Sequence, residues 1–267
     1  MKIISTFNDK LYEFSGKKMI ESARALMPDA EIQIYTELEK EENLKELHEM
    51  GVKTIDIKLI PQRQIVFEKH KDIISKQYGG DASLEDKKTH TMWNIRWFGW
   101  FHKVLACHHA VAQEDYDGWI VFADSDIRFT KGFDVSFIES MTKSKAIGFF
   151  KGNRGAVETG LICIDCRKDF SKIFYDFFMD IFISGEFRQL NRWDDSKTFT
   201  VALDSIPAFL SPKENLCDMA EGVHPSPMWT NSNGHVTSGQ IISQTEWANY
   251  VEHDKGLHAR KWGKAIK

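Results

Sequence analysis

The segment GWIVFADSDIRF constrains this chain more than any other. Its unbroken apolar and aromatic run, Trp119 to Ala123, reads as a strand buried on both faces, and such strands belong to mainly parallel sheets covered by helices. Two carboxylates, Asp124 and Asp126, follow at once, with Ser125 between them. Strand alternation points both the same way, at the carboxyl edge where open α/β sheets take their ligands. Carboxylates that close repel each other unless a cation lies between them. A hard divalent ion bridging a diphosphate is the natural occupant. The alternative is a solvated turn at a strand end, against which stands the cost of unpaired carboxylates beside a buried strand.

The rest of the chain repeats strand and helix. Lys2 to Phe7 and Glu31 to Tyr35 have strand character. Between them Met19, Ile20, Ala23, Leu26 and Met27 recur at helical spacing in Gly16 to Met27, before Pro28 stops the helix. A second cycle predicts a helix over Leu44 to Met50, a stop at Gly51 and a strand over Val52 to Leu59. A third runs from an aromatic helix, Trp93 to Val111, into the GWIVFA strand. This pattern predicts one α/β domain with helices on both faces of the sheet, and no Pro/Gly/Ser linker interrupts residues 30–240. Residues 61–90 break the rhythm. They read as a helix followed by a mobile loop, either a solvated insertion or a lid over the site.

Composition narrows the classes of function. With 267 residues and 42% hydrophobic content the chain can bury a sizeable core. A net charge of -4 argues against nucleic acid bound across a whole face. No apolar run is long enough to cross a bilayer, and MKIISTFNDK has no signal-peptide character, so the expected location is the cytoplasm. Cys163 and Cys166 form a CxxC inside the strand-like LICIDC, and without a second pair they read as structural cysteines rather than a zinc site.

Two further segments carry charge. In YVEHDKGLHARKWGKAIK, His253 follows a short strand-like run and Gly256 permits a tight turn. Lys255, Arg260, Lys261 and Lys264 there suit a diphosphate, or simply form a solvated end. RWDDSKTF holds a second carboxylate pair, Asp194 and Asp195. It reads either as a helix start capped by Asp195 or Ser196, or as carboxylates that bind sugar hydroxyls or take a proton.

Taken in order, ADSD after a buried strand, ETGLICID, WDDSKTF and HDKGLHARKWGK resemble a GT-A fold glycosyltransferase, and more narrowly a bacterial and phage group of such proteins. STFNDKLYEFSGKKMIES matches that group's opening and RWFGWFHK its helix before the DxD; Asp194 stands where the group has His, and Lys261 follows at a longer spacing. The resemblance implies a single GT-A (Rossmann-like) α/β domain, with a nucleotide-binding half over about 1–130 and an acceptor half with a closing segment over about 131–267. It implies Mn2+ or Mg2+ held by Asp126 and His253, with Asp124 reaching metal or ribose and Ser125 on the nucleotide side. Gly256, Lys261 and Lys264 would close over the diphosphate. Thr6, Phe7 and Asn8 would hold the nucleobase with Tyr12, for which packing is the alternative. Arg96 and Lys103, about two turns apart on one helical face, would reach donor phosphates or sugar from an aromatic core stripe. Glu158, as a further catalytic carboxylate, would lie with Thr159 and Gly160 in the turn that touches the donor sugar. The implied reaction moves a sugar from a nucleoside diphosphate to an unknown hydroxyl acceptor. Retention would let the leaving group take the acceptor's proton; inversion would use Asp194 or Asp195. A nucleotidyltransferase fits less well, because STFNDKLY lacks a glycine-rich loop. A non-catalytic carbohydrate-binding protein would not explain the DxD.

Overall fold

Strands open the chain because their apolar residues face both ways. In β1 (Lys2–Phe7) Ile3 enters one core and Ile4 the other; in β2 (Glu31–Thr36) Ile32 and Ile34 join Ile3, while Tyr35 joins Ile4. The helix between them, Lys17–Leu26, sets Met19, Ile20 and Ala23 into the Ile3 core. Pro28 disfavours helical geometry at Met27, which turns out at φ -138° and ψ 65°. This computed structural model describes residues 1–74, 97–113, 115–151, 157–221, 242 and 245–253, the last without its side chain.

The other strands are β3 (Lys53–Asp56), β4 (Trp119–Ala123), β5 (Ile127–Phe129), β6 (Ile147–Lys151), β7 (Val157–Asp165), β8 (Leu216–Asp218) and β9 (Val251–His253). One sheet of 7 strands runs in the order β3, β2, β1, β4, β7, β6, β8. Its neighbours are parallel except where β7 lies antiparallel between β4 and β6. Every residue of β4 is buried: Ile120 and Phe122 face the Ile4 core, Trp119, Val121 and Ala123 the Ile3 core. Each large side chain so buried contributes about 1.5–3 kcal/mol. Helices Trp97–Val111, Asp169–Ser184 and Asp195–Ser205 cover the Ile4 face, and Lys17–Leu26, Glu41–Glu49 and Val135–Met141 the other. The mainly parallel α/β sheet flanked by helices, expected from the sequence, is therefore the fold.

Three local expectations need correcting. The strand expected over Val52 to Leu59 covers only Lys53–Asp56. Asp56 accepts a hydrogen bond from Lys58 N at 2.8 Å, which turns Ile57–Leu59 into a 3-10 helix. The helix expected from Leu44 begins at Glu41, where Glu41 and Glu42 complement the positive end of its dipole, and it ends before Gly51 at φ +69°. The first part of residues 61–90 forms helices Pro61–Lys69 and Lys71–Ile74, whose Val66 and Ile74 are fully buried rather than part of a solvated insertion. Residues 75–90, where a loop or lid was expected, lie outside the described residues.

Beyond the carboxyl end of β4 a second, small sheet forms, with β5 and β9 antiparallel. An aromatic group fixes it: Phe137 meets Tyr250 at 4.1 Å between ring centroids and Phe133 meets Trp247 at 5.1 Å, edge to face.

Candidate active site

The end of β4 is pinned on both sides. Asp124 N donates to Gly160 O of β7 at 2.8 Å, and Ile127 N donates back to Asp124 O at 3.0 Å. The DSD segment is thus a tight turn between β4 and β5, rather than a continuing strand. Asp124 and Asp126 are half-buried, and Ser125 is buried with its hydroxyl 3.4 Å from that of Ser15. The β5–β9 register places Ile127 opposite His253. The backbone of His253 therefore lies beside the residue that follows Asp126, although the two are far apart in sequence.

Carboxylate oxygens with a histidine strand alongside suit a hard or borderline divalent ion such as Mg2+ or Mn2+. Among the described residues no three His, Cys, Asp or Glu side chains converge as a metal cluster, and the side chain of His253 is outside them.

Lys103 reaches this turn from the Trp97–Val111 helix. Its Nζ is 2.6 Å from Asp124 Oδ1 and 2.7 Å from Asp195 Oδ2. Asp195 Oδ2 also accepts from Thr159 Oγ1 at 2.6 Å. Four segments thereby meet: the helix before β4, the β4 turn, β7, and the start of the Asp195–Ser205 helix. Burial alone would depress the Lys103 pKa; the facing Asp124 and Asp195 carboxylates outweigh it and hold the ammonium above the usual lysine value.

The carboxylate pair of WDDS is split by the helix start. Asp194, not Asp195 or Ser196, is the N-cap. Its Oδ1 accepts from Lys197 N at 3.0 Å and its Oδ2 from Arg192 Nε at 2.7 Å, and only 1% of it is exposed. Asp195, one position on, turns to Lys103. Glu158 is buried in β7 with Oε1 accepting from Gly160 N at 2.9 Å, so its carboxylate is held by the backbone of its own strand.

At the end of β1, Thr6 is half-buried, Phe7 buried and Asn8 exposed. Asn8 accepts from Leu11 N at 3.1 Å and caps a short helical turn. Tyr12 is 1% exposed, stacked on Phe7 at 5.7 Å, with its hydroxyl donating to Glu46 at 2.6 Å. Its ring offers no open face to a nucleobase in this structure. Arg96, Lys255, Gly256, Arg260, Lys261 and Lys264 lie outside the described residues.

One cluster at this edge escaped the sequence. Glu37 follows β2, and its Oε1 pairs with Arg63 Nη2 at 2.6 Å; its Oε2 lies 3.8 Å from His102 Nδ1. The Arg63 guanidinium sits 5.2 Å from the centroid of Phe98. Burial lowers the His102 pKa to about 4. Nothing local marks these residues, because three separate segments must dock before they meet.

No family profile matches the chain, and neither does a curated protein sequence. Among solved structures it is similar to mouse xyloside xylosyltransferase 1 in its apo form, at 8% identity over 82% of this chain and 85% of that one, with a TM-score of 0.48. It is also similar to the galactosyltransferase LgtC in complex with donor and acceptor sugar analogs, at 10% identity over 95% and 86% of the two chains, TM-score 0.48. A third is the PaToxG glycosyltransferase, at 17% identity over 79% and 71%, TM-score 0.44.

Proposed function

We propose that this chain is a metal-dependent glycosyltransferase of GT-A type that moves a sugar from a nucleoside-diphosphate sugar to a hydroxyl acceptor. The observation that carries the proposal is the meeting of Asp124, Lys103, Asp195 and Thr159 at the carboxyl end of β4, with the β9 backbone drawn alongside by Ile127 and His253. That edge is where a parallel sheet binds its ligand, and the groups gathered there suit polyhydroxylated and diphosphate chemistry.

Asp124, Asp126 and His253 would hold Mn2+ or Mg2+. When bound, such an ion neutralises charge developing on the departing diphosphate. Thr6, Phe7 and Asn8 would border the nucleobase. Glu158 accepts from Gly160 N at the start of β7, where Thr159 and Gly160 would face the donor sugar. Asp195 is the carboxylate of its pair that would meet the sugar. Because its Oδ2 already accepts from Lys103 and Thr159, it suits orientation of hydroxyls better than removal of a proton. This favours retention, with the leaving diphosphate taking the acceptor's proton. A nucleotidyltransferase is less well supported: after β1 the chain runs into helical turns, Asp9–Leu11 and Tyr12–Gly16, and not a glycine-rich phosphate loop.

Asp126→Ala tests the proposal. Calorimetry should show Mn2+-dependent binding of a nucleoside diphosphate in the parent chain and its loss in the folded variant. Unchanged Mn2+-dependent affinity would refute the metal site.

A further inference from the structure

We infer that Lys103 is a positioning residue that divides its charge between Asp124 and Asp195, so that the state of Asp195 sets how strongly Asp124 attracts a divalent ion. The inference rests on the reading of Asp124 as a metal carboxylate, and it gives Lys103 a different task from binding donor phosphate or sugar. The two ion pairs are nearly equal, 2.6 and 2.7 Å, and the side chains involved are only 18%, 12% and 9% exposed. Lys103 is held in place by a long helix and passes beside Phe122, whose ring centroid is 5.9 Å from its Nζ. An ammonium is a compact point charge with three donors and no acceptor. Two of those donors are taken up by the carboxylates, which leaves at most one for a phosphate.

The consequence is a three-body charge balance in a partly desolvated site. Two carboxylates and one ammonium sum to one negative charge. With the ammonium removed, its ion pair to Asp124 Oδ1 is lost, and with it that competition with a divalent ion. With Asp195 neutralised instead, Asp124 becomes the sole carboxylate partner of Lys103 and attracts the ion less. Thr159, which donates to Asp195 Oδ2, keeps the side chain at position 195 oriented in either case. Asp195 would thus influence metal binding without being a ligand.

Manganese alone, titrated into the full chain and followed by electron paramagnetic resonance, reads this directly. Lys103→Met should bind Mn2+ roughly tenfold more tightly than the parent, because a nearby positive charge in a low-dielectric site has been removed. Sugar transfer should nevertheless fall. Lys103→Arg, which keeps the charge, should return affinity to near the parent value. Asp195→Asn should weaken Mn2+ binding several-fold when Lys103 is present and much less in the Lys103→Met background. Equal or weaker Mn2+ binding by Lys103→Met overturns the inference alone. So does an Asp195→Asn effect that is the same in both backgrounds, the mark of a general field. If Lys103→Met does not fold, Asp195→Asn with unchanged Mn2+ affinity is decisive against it. A parent chain that binds no Mn2+ overturns the metal reading and this inference together.

Discussion

Asp194 and Asp195 are the same residue type in adjacent positions, and their surroundings give them opposite work. A shift of one residue at a helix start rotates a side chain by about 100°, which carries Asp194 to the exposed backbone amides and Asp195 to Lys103. The sequence shows that a carboxylate at this point suits a cap; it does not show which one the helix takes. Asp194→Ala should therefore lower stability by about 1–2 kcal/mol, a fall in Tm of about 2–8 °C at this chain length, with transfer per folded molecule nearly unchanged. Asp195→Asn should keep the fold and lower transfer by less than about 100-fold, below what loss of a general base costs. His102 gives a separate test of the buried cluster. Its folded pKa, about 4, lies below the ordinary histidine value of about 6.5, so the unfolded chain binds a proton more readily between these values. Stability should rise with pH from about 4 to 6.5 and lose about 3 kcal/mol of this contribution on acidification across that window. Thermal melts of His102→Gln should show a flatter pH slope; an identical slope would contradict the assignment.

At the scale of elements, strands with apolar residues on both faces were readable, since β1, β2 and β4 each stand out from polar surroundings. Elements shaped by one side chain were not. Asp56 alone ends β3, and its hydrogen bond to Lys58 N leaves no periodic trace. The return of the chain end to the DSD turn had to be supposed from chemistry, because pairing between distant strands depends on register that neither strand states. The β5–β9 pairing now supplies that return for residues 251–253. Deleting residues 253–267 should remove Mn2+-dependent turnover of the donor while the chain still melts cooperatively, since Trp247 and Tyr250 remain packed against Phe133 and Phe137. Full turnover by the truncated chain would contradict a closing role.

Across the whole molecule, alternation along the strands builds two cores, one on each face of a single sheet, and leaves the carboxyl edge for polar groups. The βα rhythm made this architecture legible. The reversed direction of β7 was not, because a strand buried on both faces reads alike in either orientation. Among the described residues no helix is long and apolar enough to cross a membrane. The same edge gathers Asp124, Lys103 and Asp195, and in the proposed function it cleaves a sugar nucleotide with the help of a metal. The most direct measurement is release of nucleoside diphosphate from a panel of sugar nucleotides, with Mn2+ and with chelator, by the parent chain and Asp126→Ala. At least one sugar nucleotide should be consumed by the parent with Mn2+, and none with chelator or by Asp126→Ala. Consumption that persists in chelator, or equally in Asp126→Ala, would contradict it.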